Sequence, residues 1–175
     1  MRRVEDLLLE ALETELGCIT ICETAISCTT DLRLQREWQA EREEARSRAA
    51  CLRRVCASLS IGADRESIGR CVVRTLARSL QRVMRMARNS GDEYAARVIG
   101  AECVVLARLK VRQNWEVIGD LARAMSAADG RPLREAHALV ERQQECHLYH
   151  TRARRLWGEA LGVGKVQNGV VALAR

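Results

Sequence analysis

Apolar residues recur every three or four positions along five stretches of the chain, a spacing that places them on one face of an α-helix. The first two stretches run from about Val4 to Cys28 and from Leu32 to Leu59. The third and fourth run from Glu66 to Arg88 and from Glu93 to Met125, and the fifth ends near Leu161. Long helices joined by short connections predict an antiparallel all-α bundle.

Residues that cap or break helices separate these stretches. Thr29–Asp31 offers capping side chains, Asn89–Asp92 tolerates a tight turn, and Pro132 suits the first turn of the last helix. Gly162–Gly164 is expected to stop that helix. The length of 175 residues fits one domain. We therefore predict a single domain over residues 1–162 and a flexible tail over 163–175.

The periodicity also predicts which side chains face the core. For the first two helices these are Leu8, Ala11, Glu15, Cys18, Cys22 and Ala25, then Leu34, Trp38, Glu41, Ala45, Arg48, Leu52, Val55 and Leu59. For the third and fourth they are Ile68, Val72, Leu76, Leu80, Val83 and Met84, then Ile99, Glu102, Leu106, Leu109, Gln113 and Val117. For the fifth they include Leu133, His137, Val140, Gln144 and His147.

Charged and polar residues interrupt this core near the middle of four helices. A buried carboxylate costs several kcal/mol unless it is paired or bound to a cation, so several at one level need a common explanation. Carboxylate-bridged sites for two metal ions are built this way inside four-helix bundles. The candidate ligands are Glu15, Glu44, Glu102, Glu141, Glu145 and His147.

The pattern of such a site is incomplete. The chain has three histidines, His137, His147 and His150, and all lie in the predicted fifth helix. Gln144 stands three positions before His147, where a ligand glutamate is needed.

Several stretches resemble a family of bacterial ferritin-like proteins of about this length. They are Glu15–Gly17, Glu23–Ala25, Ala101–Ala107, Asn114–Glu116 and His147–Thr151. The likeness runs from about Glu13 to Gly162 and implies a ferritin-like bundle with one additional helix. Wider relatives bind two iron or manganese ions, which makes these metals the implied cofactors and a metal-dependent oxidoreductase the implied enzyme.

The departures from that family concern the ligand positions. The resemblance implies histidine in relatives where this chain has Arg48 and Arg112, and an acid where it has Arg108. An arginine beside a core glutamate supplies the positive charge that a metal would otherwise bring. If the arginines point inward, we expect an ion-pair network in place of a metal site.

Composition bears on partners and on the compartment. The net charge is +6, which allows nucleic-acid binding, but acids and arginines alternate between Glu41 and Arg48 and favour a surface of ion pairs.

The N-terminal residues lack the apolar core of a signal peptide, and no apolar run reaches membrane-spanning length. We expect a cytoplasmic protein whose eight cysteines are mostly buried free thiols.

Three functional hypotheses follow. The first is a di-iron or di-manganese protein that handles oxygen, peroxide or ferrous iron. The second is a metal-free structural or interaction module. Under either hypothesis we expect the bundle to form a homodimer or larger homo-oligomer through an apolar helix face. The third is a basic nucleic-acid binder, and it rests on charge alone.

Overall fold

The computed structural model describes residues 2–127 and 130–143, and side chains from 4 to 141 within those ranges. Over this part of the chain the structure is helical and contains no strand. The helices are α1 (Arg2–Ile26), α2 (Leu32–Ser58), α3 (Ile68–Asn89), α4 (Glu93–Ala124) and α5 (Arg131–Gln143). The predicted all-α class is confirmed.

The helix starts use the capping residues that the sequence offers. The carboxylate of Asp31 accepts a hydrogen bond from the backbone N–H of Arg33, and that of Asp92 accepts one from Ala95 at 2.9 Å. Gly91 has φ of 79°, a left-handed conformation that glycine adopts without strain. These contacts satisfy N–H groups that the first helical turn leaves without partners, and they fix the predicted short connections.

The topology places α1 at the centre of the packing. Helix α1 packs against α2, α3 and α4, while α5 packs against α2 and α4. Helices α1, α2, α4 and α5 therefore form a four-helix arrangement with α1 and α5 at opposite corners. Helix α3 is the additional helix, and it packs outside this arrangement against α1 and α4.

The predicted inward faces of α1 and α2 are confirmed. All six of the positions expected on α1 are buried, and on α2 every expected position is buried except the half-buried Leu59. On α5, Leu133 and Val140 are buried and His137 is half-buried.

The predicted inward faces of α3 and α4 are wrong at most positions, although Leu80 and Ile99 are half-buried and pack against the core. On α3, Met84 alone of the six expected residues is buried, and the side chains that face α1 are Arg70, Val73, Ala77 and Met84. On α4, Glu102, Leu106, Leu109, Gln113 and Val117 are exposed. The buried side of α4 instead carries mostly small residues, because this helix contacts three others and a small side chain allows close approach. At Gly100, for example, an added Cβ would lie 3.4 Å from both Cys28 and Trp38.

Some predictions lie outside the described residues. They concern Gln144, Glu145, His147 and the predicted tail, and they include the domain boundary near residue 162. The ferritin-like assignment of the bundle is not decided by the helices alone and stays a prediction.

Candidate functional site

The centre of the bundle holds a layer of polar side chains, which we call the core charge layer. It consists of Glu15 on α1, Glu41 and Arg48 on α2, and Arg108 and Trp115 on α4. Each is at most 3% exposed. Helical periodicity places them together, because Glu41 and Arg48 are seven residues apart and so are Arg108 and Trp115, which is close to two turns.

The guanidinium of Arg48 links the two carboxylates of the layer. Its Nε donates to both oxygens of Glu15 at 3.0 Å, and its Nη2 donates to Oε1 of Glu41 at 2.9 Å. Arg108 reaches across from α4 and donates through Nη2 to Oε2 of Glu41. The indole Nε1 of Trp115 donates to Oε1 of Glu15 at 2.8 Å. Both carboxylates are therefore held by N–H donors on more than one side.

The formal charges of the layer balance. Two glutamates and two arginines sum to zero when all are ionised, which is the state in which burial of a charged cluster costs least. Glu44 lies at the edge, 36% exposed, with an oxygen 3.6 Å from Nη1 of Arg48. The layer thus has one partly solvated carboxylate beside a neutral buried core.

Burial and charge pairing oppose each other in the pKa values. Burial raises the pKa of Glu15, and the Arg48 charge, its hydrogen bond and the Trp115 hydrogen bond act in the other direction. For Arg48 burial alone would lower the pKa, but the carboxylates of Glu15 and Glu41 raise it above its ordinary value. We take the Glu15–Arg48 pair as charged, because arginine keeps its proton in proteins and its fork is aimed at both carboxylates.

A polar contact continues beside the layer. Asn114 on α4 donates through Nδ2 to the hydroxyl of Thr14 on α1 at 2.8 Å. The Thr14 hydroxyl in turn donates to the backbone carbonyl of Glu10 at 2.9 Å. Both side chains are buried, and the contact fixes the register of α1 against α4 next to Glu15 and Trp115.

The predicted ligand set is brought together only in part. Glu15 lies in the core charge layer and Glu44 at its edge, whereas Glu102 and Glu141 are exposed on the outer faces of α4 and α5. The expectation that Glu102 points into the core is wrong. Glu145 and His147 lie outside the described residues, so their predicted role as ligands stays a prediction.

The three arginines named by the resemblance occupy different places. Arg48 and Arg108 point inward and are 1% exposed, as the charge-replacement hypothesis expects. Arg112 is half-buried and pairs through Nε with the exposed Glu116 of its own helix at 2.7 Å, so it does not take the inward place that the hypothesis expects.

Sequence reasoning missed part of the site because it chose the wrong face of α4. Trp115 was not predicted as a partner of Glu15, and Glu41 was expected in the core but not as a carboxylate that binds Arg108. The small residues of α4 indicate which side of this helix is buried. If Gly100, Ala107 and Val111 are taken as the buried side, Arg108 and Trp115 fall on the same side.

The donor chemistry of this layer does not fit a dinuclear metal site. Both buried carboxylates are bound to guanidinium groups, which carry positive charge and occupy the volume a cation needs. In the part of the chain that the structure describes, no three His, Cys, Asp or Glu side chains are grouped to hold a metal ion.

The described cysteines are free thiols. Six of them are buried, and Cys71 is exposed on α3. Burial raises the pKa of the thiols of Cys51, Cys56 and Cys103. Within the described ranges most cysteines are buried free thiols, as predicted, and these six pack as small apolar residues.

Comparison with known proteins adds no family. No protein-family model, curated protein or solved structure matches this chain. Of the described helices, none combines the length and apolar character needed to cross a bilayer.

Proposed function

We propose that the protein is a metal-independent helical module of ferritin-like type that serves a structural or interaction role. The observation that carries the proposal is the position of Arg48, whose guanidinium binds Glu15 and Glu41 in the bundle core. In a carboxylate-bridged bundle the metals provide the charge that holds the carboxylates together. Here Arg48 and Arg108 provide it.

Charge arithmetic supports this proposal. The two buried carboxylates carry two negative charges, and the two arginines already neutralise them. Two divalent ions would add four positive charges beside these guanidinium groups, at a short distance and in a medium of low dielectric constant. Iron or manganese binding is therefore unfavourable unless the arginines leave the layer.

The closed character of the layer also supports a structural role. The five side chains of the core charge layer are at most 3% exposed, and three surface cavities of the described bundle are lined by other residues. Side chains that act on a substrate need access to it. The layer instead joins α1, α2 and α4, and it specifies how these helices pack.

Thermal unfolding in the presence of metal tests the proposal. The full chain, treated with chelator and then dialysed, is melted with Mn²⁺, with anaerobic Fe²⁺, and with Mg²⁺ at equal ionic strength as the control. A site filled at about 100 times its Kd adds about 2.7 kcal/mol, which is roughly 5–10 °C for a chain of this size. We expect no rise in Tm with Mn²⁺ or Fe²⁺ beyond that with Mg²⁺. A specific rise would support the di-metal hypothesis and contradict ours.

A further inference from the structure

Helix α3 exposes a row of large apolar side chains. Ile68, Val72, Leu76, Val83 and Met86 are all exposed, with Ile68 at 86% and Leu76 at 56%. Their spacings of four, four, seven and three residues place them on one side of the helix. The buried side of α3 is separate from this row, so packing against α1 does not explain it.

Helix α4 exposes a second row beside the first. Leu106, Leu109 and Val117 lie on its outer side and are each more than 40% exposed. The turn Ser90–Asp92 makes α3 and α4 antiparallel neighbours. A groove of about 260 Å³ between them is lined by Leu76 and Leu80 of α3 and by Leu106 of α4. The two rows therefore form one apolar surface, the α3–α4 face.

The size of the α3–α4 face suits a protein interface. From Ile68 to Met86 the helix rises about 27 Å, and two helices side by side are about 20 Å wide. These dimensions give an outline of about 540 Å², which is of the same order as the roughly 800 Å² per partner that a standard interface buries. Contiguous exposed apolar surface of several hundred Å² marks an interaction site.

The charges around the face distinguish between partners. Helix α3 has six arginines and no acid; Arg70 and Arg74 pair with Glu13 of α1, and the other four, Arg78, Arg82, Arg85 and Arg88, are exposed. The outer side of α4 carries the exposed carboxylates Glu102, Glu116 and Asp120, of which Glu116 and Asp120 pair with Arg112 and Arg123 of the same helix. One helix of the face is thus basic and the other presents acids, so a copy of the same face is complementary to it when α3 meets α4. An anionic membrane or a nucleic acid would be attracted by α3 but repelled by the carboxylates of α4.

We propose that the α3–α4 face is the interface of a two-fold symmetric homodimer, in which α3 of each protomer packs against α4 of the other. The interface buries the apolar rows and the groove between them. The exposed arginines of each α3 then lie beside the exposed carboxylates of the other protomer's α4, whereas a dimer that paired α3 with α3 would bring the exposed arginines of both copies together. The proposal names the partner of the module proposed above, but it rests on surface residues and not on the core charge layer.

Sedimentation equilibrium of the full chain over about 1 to 100 µM tests this interface, because dimer content depends on concentration. We expect the wild-type mass to rise toward twice the chain mass of 19.6 kDa. Leu76→Glu and Leu106→Glu each place a charge in the buried interface and should raise the dimer Kd at least about 100-fold. Leu32→Glu is the matched control, because Leu32 is 64% exposed at the start of α2, outside the face, and its dimer Kd should not change.

The folding of each variant is checked by circular dichroism and thermal unfolding. These residues are exposed in the single chain, so unfolding of dilute monomer should be unchanged. The proposal is overturned if the wild type stays monomeric throughout, if the face variants dimerise like the wild type, or if Leu32→Glu dissociates the dimer equally. It is also overturned if the monomeric wild type binds anionic vesicles or nucleic acid through this face. Metal content tests the core charge layer and not the α3–α4 face. The proposal of a metal-independent core and the proposal of the dimer interface can therefore fail independently.

Discussion

At the scale of single residues, Arg48 is the residue on which the core charge layer depends most. It is the shared donor for Glu15 and Glu41, and all three side chains are at most 1% exposed. Its removal leaves buried carboxylates with too little positive charge, a situation that costs about 3–5 kcal/mol. We predict that Arg48→Ala lowers the free energy of unfolding by that amount, measured by urea denaturation.

Arg46 provides the matched control two residues away on the same helix. It also pairs with two carboxylates, those of Glu23 and Glu43, but it lies at the surface with 46% of its side chain exposed. Exposed ion pairs contribute at most about 1 kcal/mol. We therefore expect Arg46→Ala to unfold close to the wild type, and equal losses for the two variants would contradict the account of Arg48.

Glu13 should control part of the acid stability. Hydrogen bonding from Arg74 lowers the pKa of Glu13 below 4.5, with burial opposing and Arg70 adding to the effect. A lowered carboxyl pKa stabilises the folded state above the ordinary pKa, and that contribution is lost as the pH falls through the folded-state value. At neutral pH we predict that Glu13→Gln costs about 1–3 kcal/mol in urea denaturation.

The difference between Glu13→Gln and the wild type should shrink as the pH falls below 4.5. Because Glu15 is present in both proteins, its contribution cancels in the difference between their free energies of unfolding. This matters because burial raises the pKa of Glu15. Glu43→Gln is the control, because hydrogen bonds from Arg42 and Arg46 lower the Glu43 pKa at the surface, where salt screens the effect. A difference for Glu13→Gln that is independent of pH would exclude ion pairing as its cause.

Thiol accessibility gives a prediction of its own. Cys71 is exposed, whereas Cys18, Cys22 and Cys56 are fully buried. Because the thiolate must be reachable to react, we predict that alkylation of the native protein labels Cys71 well before those three. Peptide mass spectrometry reads each site separately. Labelling of Cys18 or Cys22 at the rate of Cys71 would show that the core opens.

At the scale of helices, two faces could be predicted from the sequence and two could not. On α1 and α2 the largest apolar residues are also the buried ones, so periodicity alone found Leu8, Leu34 and Trp38. On α3 and α4 many large apolar residues, such as Leu76 and Leu106, lie outward, whereas others, such as Met84 and Ile118, are buried. Periodicity reports that a helix has an apolar side, but which of two sides meets the core depends on the neighbouring helices, and that information is not local.

Glycine marks the close approach of α1 to α3. A Cβ added at Gly17 would lie 2.9 Å from Cβ of Ala77, a short rigid side chain that cannot move without the backbone. Alanine favours a helix over glycine by about 1 kcal/mol, but forcing the helices apart costs about 1–3 kcal/mol. We predict a net loss of stability for Gly17→Ala in thermal unfolding.

Gly69→Ala on α3 is the matched control. Its added Cβ would meet Oε2 of Glu10 at 2.9 Å, but that is the far end of a flexible side chain. We expect Gly69→Ala to leave Tm unchanged or to raise it slightly through helix propensity. If Gly17→Ala also raised Tm, the close packing of α1 on α3 would be wrong.

At the scale of the whole molecule, the sequence predicts which residues of α1 and α2 form the candidate site, but not which residues of α4 pair with them. Glu15 and Arg48 were both predicted in the core, because each interrupts an apolar face near the centre of its helix. Their partners on α4 were not, because Trp115 and Arg108 contact α1 and α2 only through the tertiary packing. A charged residue on an apolar helix face indicates that some side chain pairs with it, but the tertiary packing determines which side chain that is.

The central claim is that two arginines replace metal charge in the core. Elemental analysis by mass spectrometry tests it most directly, on protein from cells supplied with iron and manganese and purified without chelator. The account predicts about 0.1 metal ions per chain or fewer, because the guanidinium groups hold both buried carboxylates. Retention of about one or two ions per chain would contradict it and would favour the metal-binding hypothesis.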